Sequence, residues 1–492
     1  MNRRLHKYLL IMTLIGALWA FVACAPEETI VIRITPTPAS VVDLPTQTTP
    51  ETATPTAEIT QTVTPSITPT PSISPEPITP TQTPQPVPTI GEGTYVGPII
   101  PPDYVMPTLI VPSPVIPTVT ATQQILTSTP SGPTPTPIPL LDASRIGLQL
   151  YSNVGQAEWE EYVRRAERTG VQWIKIQVNW AFLQPDSPNM LNDQMQLFER
   201  QIEAASRPPN MRVMLSIAKA PSWARSTTQE DGPPDNPQAL ADFITFMLRD
   251  TKIGLAVDAI EVWNEPNLIR EWRGTLPFSG SGYMQLFNPA YNAIRAYSPT
   301  MQIITAGLAP TGTLGADTVD DRTFLQQMYG AGLANYTDVF IGTHPYGWGN
   351  PPDARCCNAI PDRGWDDNPK FFFIQNIEDT YAIMQASGHG NAKIWITEFG
   401  WATWEGLPTQ APELWMTYNT AQNQLNYTIR AFQIGQSLPY VEGMILWNLN
   451  FANMFRVEQR DEVAGYSLIN PALLPSERPL YWALSQATGY DG

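Results

Sequence analysis

The sequence predicts a (β/α)8 barrel behind a long Thr/Pro-rich lead-in, and three observations carry that expectation. More than half of the 51 prolines fall before residue 140, so the chain changes character there. Beyond that point eight short, apolar, β-rich runs alternate with helical stretches, the order of repeated βαβ units. Eight such repeats in roughly 350 residues match the usual size of a closed parallel barrel. A doubly wound open sheet is the alternative. No Gly-rich phosphate loop follows any of the runs, which weighs against it.

The first run is Ile146 to Tyr151 and the second Trp173 to Trp180. The third is Arg212 to Lys219, the fourth Ala259 to Trp263 and the fifth Gln302 to Leu308. Val339 to Thr343, Lys393 to Thr397 and Gly443 to Asn448 complete the set. Between the first two, Glu158 to Thr169 places Trp159, Tyr162, Val163 and Ala166 on one helical face and stops at Gly170. Gln238 to Asp250 spaces Leu240, Phe243, Ile244, Met247 and Leu248 in the same way. Asn419 to Gln436 and Pro479 to Thr488 supply the last two helices.

The lead-in divides in two. Arg3, Arg4 and Lys7 precede an apolar run from Tyr8 to Val22 that is short for a membrane span and matches the core of a signal peptide. It closes on Phe21-Val22-Ala23-Cys24, which resembles a bacterial lipoprotein signal. That resemblance implies that residues 1–23 are removed and that Cys24 carries a lipid anchor. Phe21 stands where the pattern prefers Leu, and ordinary cleavage or an uncleaved anchor helix are the alternatives. Each of the three puts the rest of the chain outside the cytoplasm, held at the cell surface or secreted. Residues 24–140 are rich in Thr, Pro and Ser and poor in charge. Proline removes backbone donors and fixes φ, so this linker is expected to be disordered and extended, a stalk for the domain at residues 141–492.

Net charge is -17, which excludes a nucleic-acid partner: phosphate binding needs a basic surface. The three cysteines, Cys24, Cys356 and Cys357, form no disulfide framework. No set of ligands has metal spacing, so neither metal nor cofactor is expected.

In such a barrel, function gathers where strands end. The fourth run closes with Trp263-Asn264-Glu265-Pro266 and the seventh with Thr397-Glu398-Phe399-Gly400. A glutamate directly after a β-rich run is costly unless it is paired or used. Two carboxyls facing one another across a barrel mouth are what acetal cleavage needs. One protonates the leaving oxygen and the other stabilises the anomeric carbon. At this point the domain resembles the clan A glycoside hydrolases, the group holding families 5 and 39, over roughly Ile146 to Thr488. The resemblance implies that Glu265 is the acid/base, Glu398 the nucleophile, and that Asn264 bonds the sugar's 2-hydroxyl. It further implies that His344 and Tyr346, from Thr343-His344-Pro345-Tyr346, bind substrate or the nucleophile. It makes Trp447 the floor of the sugar site. Trp180, Trp223 and Trp401 follow strand ends and are candidate sugar platforms; Asn179 and Lys219 are candidate hydroxyl ligands. Many family 5 members carry an arginine near the second or third strand end. None fits here, and Lys219 is its candidate substitute. The expected partner is a carbohydrate, cleaved with retention at a β-linked bond. An inactive sugar-binding barrel and a transglycosylase remain the alternatives.

Overall fold

The computed structural model describes residues 138–228, 230–312, 315–357 and 368–490. These all belong to one unit, Thr122–Gly492. The signal segment, Cys24 and nearly all of the linker lie outside the described residues, as does part of the long loop after the sixth strand.

Eight strands are present: β1 Ile146–Leu150, β2 Trp173–Asn179, β3 Arg212–Ala218, β4 Ala259–Val262, β5 Gln302–Thr305, β6 Ile341–Thr343, β7 Ile394–Phe399 and β8 Val441–Leu446. All paired strands run parallel, in the order β5-β4-β3-β2-β1-β8-β7-β6. Parallel bridges Ile304↔Phe340 and Leu308↔Thr343 join the two ends of that order, so the sheet closes into a barrel. One long helix follows each strand: α1 Gln156–Arg168, α2 Asp193–Ala205, α3 Gln238–Arg249, α4 Gly280–Tyr297, α5 Asp321–Gly330, α6 Phe373–Ala386, α7 Ala421–Ser437 and α8 Pro479–Ala487. The (β/α)8 expectation therefore holds. No helix among the described residues is long and apolar enough to cross a membrane.

Strand alternation divides each strand between two surroundings. Along β2, Ile174, Ile176 and Val178 pack outward into the layer between sheet and helices. Trp173 instead joins Met214, Ala259, Ile304, Trp395 and Ile445 in a separate apolar plug inside the barrel. The two tryptophans of the plug meet edge to face at 4.9 Å. They fit because β8 carries Gly443, where a Cβ would lie 2.3 Å from the Trp395 ring. The plug fills the lower barrel. The next inward position on β2, two residues nearer the mouth, is Lys175, and its place is set by that same alternation.

Candidate active site

The β4 strand turns sharply at its end. Trp263 (φ 76°) and Glu265 (φ 39°) both occupy the left-handed region, which non-glycine residues rarely enter. The turn is held from several directions. The indole N–H of Trp263 donates to the Glu271 carbonyl at 2.9 Å, and the Glu265 N–H donates to the Gly307 carbonyl at 3.1 Å. Asn267 ties this loop to the one after β5, donating to the Ala309 and Val319 carbonyls and accepting from the Ala309 N–H. The strained turn aims the Glu265 carboxyl over the mouth. There its Oε1 meets His344 Nδ1 at 3.0 Å and its Oε2 meets Arg270 at 3.4 Å.

Glu398 comes from β7 on the facing side. Tyr346 donates its hydroxyl to Glu398 Oε2 at 3.1 Å, and Lys175 Nζ donates to Oε1 at 3.1 Å. Lys175 also pairs with Glu261 at 2.8 Å, and both side chains are sealed from solvent. Burial, the largest influence on Lys175, works against its charge. The carboxylates of Glu261 and Glu398 outweigh it and hold the pKa above its ordinary value. Burial likewise opposes the Glu261 charge, and Lys175 with His344 pulls that carboxyl far below the usual range.

His344 stands among three carboxylates. Its Nδ1 lies 3.0 Å from Glu265 and 3.9 Å from Glu398, and its Nε2 lies 3.9 Å from Glu261 and 3.1 Å from Thr397 Oγ1. Burial alone would discharge it, yet Glu398, Glu261 and Glu265 raise its pKa to about 9. Glu265 responds in kind. Burial favours its neutral form, but His344 and then Arg270 hold its pKa below the ordinary value. Both shifts favour a Glu265 carboxylate beside a His344 imidazolium, 3.0 Å apart.

Two measurable consequences arise here. A histidine whose pKa is near 6.5 unfolded and about 9 folded adds stability in full below pH 6.5, and that stability drains away as pH rises through 9. The amount is on the order of 3 kcal/mol at about 1.4 kcal/mol per pH unit. Melting temperature is therefore expected to fall between pH 6.5 and 9 more steeply in the native protein than in His344→Gln. Parallel curves would contradict this. Second, a Cβ at Gly307 would sit 2.1 Å from His344 Nε2. Gly307→Ala must push the imidazole off Glu265, so a steep loss of turnover with a smaller change in melting temperature is expected.

The remaining candidates separate by strand face. Trp447, Asn179 and Lys219 line one cavity of about 360 Å³ with Tyr151 and Phe451. Lys219 is ion-paired to Asp231; the lysine paired with Glu398 is Lys175. Asn179 accepts from the Phe182 N–H as a helix cap. Asn264 is buried and its Oδ1 has no hydrogen-bond partner among the described residues, an acceptor left open beside Glu265. His344 is 0 % exposed, its ring held among Glu261, Glu265, Glu398 and Thr397. Trp180 and Trp401 are core residues. Trp180 continues the outward face of β2 and stacks on Phe243 at 5.0 Å; Trp401 donates to the Asn350 carbonyl and packs on Phe373. Trp223 is turned into the scaffold, donating to the Gln184 carbonyl at 2.7 Å against the edge of Trp180. Strand-end position alone does not expose a tryptophan.

Glu265, His344 and Glu398 each offer one ligand atom within 4.8 Å of the others, the spacing of a cation site. Those atoms already bond one another, Lys175 and Tyr346, and the Lys175 ammonium repels a further cation. The donor set does not fit a resident metal.

No protein-family model matches the sequence, and no curated protein matches it. Solved structures do resemble it. A family 39 glycoside hydrolase from Bacteroides cellulosilyticus aligns at 16% identity and TM-score 0.50, over 71% of this chain and 65% of its own. A glucosidase from Croceicoccus marinus aligns at 13% identity and TM-score 0.48, over 72% and 69%. A β-glycosidase aligns at 17% identity and TM-score 0.45, over 72% and 98%. At such identities the likeness to the family 39 enzyme is one of fold: the chain is built on the same eight-stranded parallel barrel as that glycoside hydrolase.

Proposed function

We propose that the protein is a retaining glycoside hydrolase that cleaves β-linked oligo- or polysaccharides, with Glu265 as acid/base and Glu398 as nucleophile. One observation carries the reading: carboxylate oxygens of Glu265 and Glu398 lie within 4.8 Å of each other at the barrel mouth. Retaining pairs stand about 5–5.5 Å apart, and inverting pairs about 6.5–9.5 Å, because the latter must admit a water.

The surroundings suit the two roles. Lys175 and Tyr346 donate to Glu398, as a nucleophilic carboxylate requires. In the first half-reaction His344 passes its Nδ1 proton to Glu265, and Glu265 passes it to the glycosidic oxygen as the C–O bond breaks. Glu398 attacks the anomeric carbon and forms a glycosyl ester. Water then attacks that carbon, the ester bond breaks, and Glu265 takes the water's proton and returns it to His344. The open Oδ1 of Asn264 accepts from a hydroxyl of the bound sugar. Trp447 offers its face to the ring, since sugar C–H faces pack on aromatic surface.

A screen of aryl β-glycosides and β-linked polysaccharides tests this. Turnover of at least one substrate by the native protein, lost in Glu398→Ala, is expected; affinity without turnover in both proteins would overturn the reading. We further propose that the chain is exported and lipidated at Cys24. Membrane association that survives in the native protein and disappears in Cys24→Ala is the expected result; equal partitioning of both would exclude it.

A further inference from the structure

We propose that the cavity on the Glu265 side of the site binds the sugar that leaves, with Glu271 as its principal hydrogen-bond partner, so that the natural leaving group is itself a sugar. This rests on the reading of Glu265 as the acid/base.

Two cavities open near the carboxylate pair, each reaching it through a neighbouring residue, Arg270 in one and Trp447 in the other. The one holding Trp447 lies on the nucleophile side, because Trp447 meets Tyr346 edge to face at 6.1 Å and Tyr346 bonds Glu398. The other, about 530 Å³, is lined by Ser222, Arg225, Asp231, Arg270 and Glu271 among others. Its near end is marked by Arg270, which touches Glu265 Oε2. The Lys219–Asp231 ion pair stands on the divide, since Lys219 lines one cavity and Asp231 the other. A general acid protonates the oxygen of the departing group, so that group must lie on the acid's side.

The wall of this second cavity is unfinished. Glu271 Oε2 is buried and accepts no hydrogen bond, and its carboxyl joins no ion pair among the described residues. Arg225 Nε is buried and finds no acceptor among the described residues. Buried polar atoms are nearly always satisfied, so an open acceptor and an open donor on one wall mark a place where a ligand completes them. The ligand's class comes from the mixture of charges. Arg225 and Arg270 face Glu230, Asp231 and Glu271, which favours neither an anion nor a cation over a neutral polyhydroxyl. Burial, with Glu265 adding, pushes the Glu271 carboxyl up to about 7, while Lys219 and Arg270 oppose. Near neutral pH it both donates to and accepts from hydroxyls.

The test compares two substrates of one glycone, a nitrophenyl β-glycoside and the matching β-linked trisaccharide, in the native protein, Glu271→Gln and Glu271→Ala. Losing a hydrogen bond to such a group costs about ten- to a hundredfold. The ratio of kcat/KM, trisaccharide over nitrophenyl glycoside, is expected to fall by that factor in Glu271→Ala, and less in Glu271→Gln. An unchanged ratio overturns the proposal, whether both rates fall or neither does. Calorimetric binding of the trisaccharide to Glu398→Ala, with and without Glu271→Ala, reads the same contact without turnover. Equal affinities there also overturn it. A native protein that hydrolyses neither substrate yet binds the trisaccharide through Glu271 would sink the hydrolase reading and leave the binding site standing.

Discussion

On the proposed roles, Glu398→Ala is expected to lower hydrolysis by about four to six orders of magnitude, because without its carboxylate no glycosyl ester forms. Glu265→Ala is expected to behave differently. Loss of a general acid costs about two to four orders of magnitude when the leaving group is poor, and far less for a dinitrophenyl leaving group, which departs without a proton. Azide separates the two variants. In Glu265→Ala it attacks the glycosyl ester that Glu398 still forms, and the product is a glycosyl azide of retained configuration. In Glu398→Ala it replaces the missing nucleophile, and the azide has inverted configuration. The same azide anomer from both variants would contradict the assigned roles.

The second large effect is expected at Lys175, on stability as well as rate. Lys175 lies fully buried between Glu261 and Glu398, at 2.8 and 3.1 Å. Lys175→Met leaves two buried carboxylates without their cation. Breaking such a pair costs about 3–5 kcal/mol, whereas removing both partners costs much less. Urea unfolding is therefore expected to show a large loss for Lys175→Met and partial recovery in Lys175→Met/Glu261→Gln. Turnover stays low in the double variant, because Glu398 still lacks its donor. Additive losses in the two single variants would show that the pair is not coupled.

The barrel was legible because β-rich runs and helical faces leave periodic traces in sequence, and Glu265 and Glu398 were legible because each directly follows such a run. The strand ends differ by a few residues: β5 stops at Thr305 and not at Leu308, and β7 runs on to Phe399. What stayed hidden were the residues whose role depends on strand face. Lys175 and Glu261 sit within strands and point into the barrel, and Trp180 points away from it. Counting alternate positions from Trp173 gives Lys175 the inward face, but only the closed barrel says that Glu398 stands opposite. Glu271 left no trace at all, since a glutamate in a short helical turn, Ile269–Trp272, reads as a surface residue. Gly307 is similar: its worth lies in the His344 ring it admits, which comes from another strand.

The spacing of the two carboxylates is best tested by proton NMR of the first sugar released by the native protein, recorded before mutarotation. On the proposed roles Glu398, and not water, attacks the anomeric carbon first, and the first product is the β-anomer. An α-anomer would mean that water attacks directly, and that these two side chains do not do the chemistry assigned to them.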